Sequence, residues 1–316
     1  YYHRIMCEIA FSEYYMGRIE ALHENFMISL ENSDKIPTLD LMHSYFGALL
    51  YFWKTRKLDK AIDIVENLDR MFHEIDMERS ILSSEDLLTA IEKKREVFHD
   101  KLMLQAKGYN IMGAIMYDLG EYEQAVKYYN NSISIKSIRG DLTGRAISLL
   151  GSARAFLRTG RMQEAELRAM NSYRTNIEKE DLYGEYLSSL LLTEIFLETG
   201  NLKEALNWLN NSKKLRVHSK KWHDKNQYYM VKWLYDLETG TNPDIEAEVE
   251  NKLKENDLCD DITAGYMYCL GRACESRDPE KARESYEKAI EIYKRIKKIP
   301  SISRIEDRIE AINSRL

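Results

Sequence analysis

The sequence predicts an all-α chain, a right-handed α–α superhelix of about seven helical hairpins closed by a C-terminal capping helix. Three observations predict it. Gly120, Gly160 and Gly200 stand 40 residues apart, as do Ala125, Ala165 and Ala205, and a period of roughly 20–50 residues marks a solenoid. Runs such as Tyr109–Leu119 carry apolar residues at helical spacing and end at a glycine, which can take the left-handed conformation that stops a helix. Only 4 Pro and 14 Gly among 316 residues, with 31% charged and 44% hydrophobic residues, suit a nearly all-helical chain.

Each copy has its own physical logic. A first helix ends at the glycine and a second begins at once. Ala125 followed by Tyr129, and Ala205 followed by Leu209, set a small and then a large residue on one face of the second helix, so that it can press closely on the first. Such a hairpin cannot bury its apolar face alone. Stacked copies complete the core and share the stability among themselves.

At these residues the chain resembles the tetratricopeptide repeat family. The family's small residue at position 8 is Gly113 or Ala153, position 11 is Met116, Phe156 or Phe196, and positions 15 and 20 are the Gly and Ala series. The usual period is about 34 residues. Here it is 40, and the connecting stretches repeat Asp141, Leu142, Gly144 and Ser148 as Asp181, Leu182, Gly184 and Ser188. This longer form is similar to that of kinesin light chains, cell-polarity adaptors, Rap-type bacterial peptide receptors and the sensor arms of STAND-type signalling ATPases.

Taken in order, residues 1–316 read as one solenoid domain. Residues 1–104 hold divergent repeats: a degraded first hairpin over 1–30 with Ala21 at the packing place, then a pair around Ala61 that starts near Thr38 or Asp40, after Pro37. Ala61 to Ala125 is 64 residues, 24 more than one period. A helix over 62–79, a stop and new cap at Ser83-Ser84-Glu85-Asp86, and a charged helix over 85–104 account for the excess, either as an extra helix or as an unusually long first helix. Residues 105–216 form the regular block. Over 217–300 one repeat is eroded at TNPDIEAEVE, and the next recovers with Ala282, Tyr286 and Ala289 in the packing places and Pro279 in a helix's first turn. Residues 301–316 form the capping helix. The chain begins Tyr1-Tyr2-His3 rather than with Met, which suggests a part of a longer protein linked to further domains.

Several function classes drop out. The net charge of −6 gives no general pull towards nucleic acid or anionic membrane, and no apolar run approaches the ~20 residues that cross a bilayer, so a cytoplasmic protein is expected. Phosphate-loop, dinucleotide, zinc-protease and serine-hydrolase motifs are absent. No catalytic residue, metal site or cofactor is expected, and Cys7, Cys259, Cys269 and Cys274 read as buried thiols. His3 and Cys7 have a chelating spacing, but two ligands are not a site. Lys213, Lys214, Arg216, Lys220, Lys221 and Lys225, with His218 and His223, form either an anion-docking patch or a solvated helix end. Trp222, Tyr228, Tyr229 and Trp233 read as core packing or as a peptide-binding wall. Asn67, Asn131, Asn171, Asn211 and Asn251 recur at one place in the second helices, either as a ligand ladder or through shared ancestry.

The tetratricopeptide register also implies a candidate binding face. Positions 9 and 13 of each first helix face the concave groove, which brings Arg154, Glu194, Asp118, Arg158 and Glu198 together, with Tyr117, Leu157 and Leu197 as apolar anchors. Arg154 is expected to reach Glu194, and Arg158 to reach Asp118 or Glu198. Such charges serve either as interhelical ion pairs or as ligand contacts. Counting Glu238 with them gives two cations and four anions, hence a basic protein or peptide segment as partner. The resemblance implies a binding module, the sensing or scaffolding arm of a larger signalling or transcriptional regulator. A self-contained peptide or small-molecule receptor of Rap type and an RNA-binding repeat protein are the alternatives.

Overall fold

The computed structural model describes residues 26, 30, 38–81, 95–219, 222–255, 258–296, 298 and 302–314. The expected hairpin over 1–30, apart from Phe26 and Leu30, and the cap over 83–86 lie outside them, as does the His3/Cys7 pair. Within them the chain is helical throughout: α1 (Thr38–Lys54), α2 (Leu58–Ile81), α3 (Arg95–Leu119), α4 (Tyr122–Ile138), α5 (Leu142–Arg158), α6 (Met162–Glu178), α7 (Leu182–Glu198), α8 (Leu202–Leu215), α9 (Trp222–Thr239), α10 (Ile245–Leu253), α11 (Asp260–Cys274), α12 (Pro279–Arg295) and α13 (Ile302–Asn313), with a short 3-10 turn at Arg216–His218. No helix among these residues is long and apolar enough to cross a membrane. Residues 82–94, on which the two readings of the 24-residue excess differ, lie outside the described residues. Arg95–Leu119 is one uninterrupted helix of 25 residues.

The turns inside the hairpins follow from their glycines. Gly120, Gly160 and Gly200 have φ of 85°, 74° and 71°. Each closes the helix with a pair of reverse bonds: Gly160 N–H donates to Leu157 O at 3.3 Å and Arg161 N–H to Phe156 O at 3.0 Å, and the same pattern recurs 40 residues on either side. The next helices start on side-chain caps where a suitable residue stands. Asp181 accepts from Gly184 N–H at 3.0 Å, Asn201 from Glu204 N–H at 3.3 Å, and Asp278 from Lys281 N–H at 3.0 Å, just ahead of Pro279 at the first turn.

The chain divides into two compact units, one of residues 1–115 and 127–141, the other of 116–126 and 142–316. In the first unit α1 and α2 bury Met42, Phe46, Leu49, Leu58, Ala61, Leu68 and Phe72. A Cβ at Gly108 would lie 2.5 Å from the Phe72 ring, and one at Gly113 would lie 3.0 Å from the Tyr129 ring. The small residue at position 8 thus seats the large side chain of the second helix, four places after the Ala series.

In the second unit the same device recurs at the far end, where the ring of Tyr286, fully buried, lies on Gly271. Ala165, Ala205 and Ala282 are wholly inaccessible, so each second helix meets its first at a side chain too small to hold them apart. Gly184, from the repeated linker, is tight for another reason. A Cβ there would stand 2.5 Å from Asn176, whose amide Nδ2 also donates to Ser188 Oγ at 3.3 Å. The last stretch packs as one cluster in which Trp233, Tyr266, Tyr286, Ala289 and Tyr293 receive Ile302, Ile305 and Ile312 of α13. The terminal helix therefore covers the open apolar face of the preceding hairpin, as a cap does.

Candidate ligand cavity

A cavity of about 400 Å³ opens in the second unit. Its wall is built by first helices: Tyr117 at the end of α3, Arg154, Leu157 and Arg158 on α5, Leu191, Glu194, Leu197 and Glu198 on α7, Met230, Val231, Leu234 and Glu238 on α9, and Gly265, Tyr268, Cys269 and Arg272 on α11. Tyr293 closes α12, and Lys298, Arg304, Ile305 and Arg308 come from the C-terminal end. Second helices are otherwise missing from this wall, because their small face is turned to the first helices. Of the eight residues the register selected, Tyr117, Arg154, Leu157, Arg158, Glu194, Leu197 and Glu198 line the cavity. Asp118 does not; it is buried at the end of α3.

The partners of Arg158 and Glu198 differ from those expected, whereas Arg154 does act on Glu194. Arg158 Nε donates to Tyr117 Oη at 3.2 Å. That oxygen, and then Glu194, hold the guanidinium in its charged form against the cost of burial. Glu194 is pushed the other way, its carboxyl raised above the usual range by burial, with Arg158 and then Arg154 acting against the rise. Glu198 pairs not with Arg158 but with Arg304 of α13, at 2.6 Å. Arg272 meets Glu238 at 2.6 Å, Lys298 meets Asp261 at 2.7 Å, and Arg308 meets both oxygens of Glu275 at 2.9 and 3.0 Å.

The sign of the lining changes as a result. The register implied two cations against four anions, whereas the wall carries Arg154, Arg158, Arg272, Lys298, Arg304 and Arg308 against Glu194, Glu198, Glu238 and Asp261. The excess negative charge is not found, because Asp118 turns out of the wall and four cations arrive from α11 and the C-terminal end. Arg304 and Arg308 were missed because a repeat register says nothing of a capping helix that crosses back to an earlier repeat, and Arg272 and Lys298 because the register was carried only as far as α9. Arg304 and Glu198 are 106 residues apart. The thiol of Cys269 is pushed up to about 12 by burial, so it serves as a neutral apolar part of the wall rather than a nucleophile.

The other candidates have structural roles. Tyr228 and Trp233 are buried, Trp233 Nε1 donating to Glu248 at 2.8 Å, and Arg216 lies over the rings of Tyr228 and Tyr229 at 4.8 and 5.1 Å. Lys213 and Lys214 end α8, where the helix dipole favours them. Lys220 and Lys221, and the side chains of Trp222, His223 and Lys225, lie outside the described residues. The asparagine series has no common task. Asn67 Nδ2 donates to its own helix at Asp63 O, 2.8 Å, whereas Asn211 Nδ2 ties Ser189 and Tyr173 at 2.9 and 3.0 Å. None of the five lines the cavity. A series the sequence reading passed over does repeat its bond: Ser132 Oγ donates to Ala106 O at 2.6 Å and Ser172 Oγ to Ala146 O at 2.9 Å.

Residues 106–138 match the tetratricopeptide repeat family. No curated protein sequence matches the chain. Among solved structures, the apo form of RapI superposes with a TM-score of 0.68 at 12% identity, over 94% of this chain and 100% of that one. NprR in complex with its cognate peptide NprX superposes with a TM-score of 0.59 at 10% identity, over 99% and 88%. At such identities the likeness is one of fold: a tetratricopeptide-like solenoid.

Proposed function

We propose that this chain, a stack of tetratricopeptide-type hairpins, is a non-catalytic receptor that holds a short peptide or partner segment in the cavity of its second unit. One observation carries the reading: five successive first helices and the C-terminal end converge on one cavity lined by both apolar and charged side chains. About 400 Å³ lies in the range of sites that enclose a small ligand or a few residues of a peptide, roughly 300–1,000 Å³. Leu157, Leu191, Leu197, Val231 and Leu234 offer the apolar contact that anchors a segment, and the charged residues of the same wall fix its register. The fold shared with NprR, solved with a bound peptide, supports the same use. Such a groove serves either as the sensing arm of a larger regulator or as a self-contained receptor.

The test is affinity selection with pools of random hexapeptides, read by mass spectrometry of the retained fraction. Leu234→Trp, which fills the cavity from α9, is expected to cut retention at least about tenfold with unchanged helical circular dichroism. Retention equal in the variant would place binding elsewhere, and no retention by the native chain would remove the peptide reading.

A further inference from the structure

We infer that the cavity recognises its peptide through a carboxylate, which docks between the guanidinium groups of Arg154 and Arg158. This rests on the peptide-receptor reading and goes beyond it by naming the chemistry of the ligand. Four of the six cations in the wall already have a carboxylate of the chain at hydrogen-bonding distance: Arg304 with Glu198, Arg272 with Glu238, Lys298 with Asp261 and Arg308 with Glu275. These pairs tie the wall together and leave little charge for a ligand to satisfy.

Arg154 and Arg158 are different. They stand four residues apart on α5, hence on one face of the helix, where like charges repel. Both line the cavity, and the carboxylate that acts on both is Glu194. One carboxylate cannot balance two guanidinium groups, and burial disfavours its ionised form. A cavity of low dielectric magnifies the imbalance. A ligand bringing one negative charge corrects it, and the planar forks of arginine match a carboxylate with two parallel bonds. Arg158 is held for this role by the bond from its Nε to Tyr117 Oη, which leaves its other N–H groups for acceptors. A dianion such as phosphate fits less well, since the one charge that Glu194 leaves unbalanced on the two guanidinium groups calls for a single negative charge.

A peptide carboxylate comes from the chain terminus or from an Asp or Glu side chain, and the experiment separates them. Hexapeptide pools are made as free acids or C-terminal amides, each with or without Asp and Glu, and incubated with the full chain. Acid-bearing pools are expected to be retained at least about tenfold over the amidated pool lacking acids. Preference that follows the free terminus assigns the terminal carboxylate, and preference that follows Asp and Glu assigns the side chain. Arg154→Gln and, separately, Arg158→Gln should abolish the preference; Arg154→Gln keeps the Tyr117 bond intact, so a loss there is not a loss of fold. Peptides retained without acid preference, or with a preference unchanged in both variants, would overturn this inference and leave the receptor reading standing. If no pool is retained, both fall.

Discussion

The contact between Gly271 and Tyr286 offers a measurement whose sign is set by packing. Gly271 lies inside α11, where alanine would be the better helix former by about 1 kcal/mol. Yet a Cβ there would fall well inside contact distance of the Tyr286 ring. That ring is fully buried, its hydroxyl is bonded to Glu275, and Glu275 is itself held by Arg308 of α13. It cannot swing away, so the added methyl must push α12 outward. Overpacking of this kind costs about 1–3 kcal/mol. Set against the propensity gain, Gly271→Ala should lose about 0–2 kcal/mol in the native background. With Tyr286→Ala already in place, itself costing about 3–5 kcal/mol, the same change meets a vacant site and should gain about 1 kcal/mol. Urea midpoints at constant m-value measure all four proteins of the cycle. The expected coupling is about 1–3 kcal/mol. Equal effects of Gly271→Ala in the two backgrounds, within about 0.5 kcal/mol, would mean that the paired helices do not close on this glycine, and the account of the hairpins would fail.

Two further outcomes test other parts of the structure. Lys136 is buried, and burial, with Lys107 and Arg139 adding to it and Asp141 opposing, lowers its pKa from 10.5 to about 8. Between those values the unfolded chain binds the proton and the folded chain does not, so stability should rise with pH across about 8 to 10.5; below that window the full cost of the buried charge is present. Lys136→Met should remove the rise and add on the order of 1–3 kcal/mol at pH 7; identical pH profiles for the two proteins would refute the assignment. Ala165→Leu, at a wholly buried position of α6, should cost about 1–3 kcal/mol by overpacking, and an unchanged urea midpoint would show that Ala165 does not sit between helices.

The architecture was legible because a solenoid writes its contacts locally. Gly120, Gly160 and Gly200 stop their helices through bonds to residues three to five places earlier, and Gly113 and Tyr129 meet within one hairpin, so each rule recurs at the 40-residue step and can be read without knowing where other repeats lie. The same regularity carried the register of the first helices onto Arg154, Leu157, Arg158, Glu194, Leu197 and Glu198, which share the cavity wall. Where two copies hold the same residue among different neighbours, periodicity stopped informing: Asn67 and Asn211 occupy one place and bond differently, because each amide takes whatever neighbours its own repeat provides. The charge of the cavity was decided by tertiary structure alone. Arg304 and Arg308 belong to a helix outside the repeat, and only the packing of Ile302, Ile305 and Ile312 against the last hairpin brings them across to Glu198 and Glu275. Contacts between residues 106 positions apart leave no period in a sequence, since they depend on how many repeats intervene and how far each one turns the next.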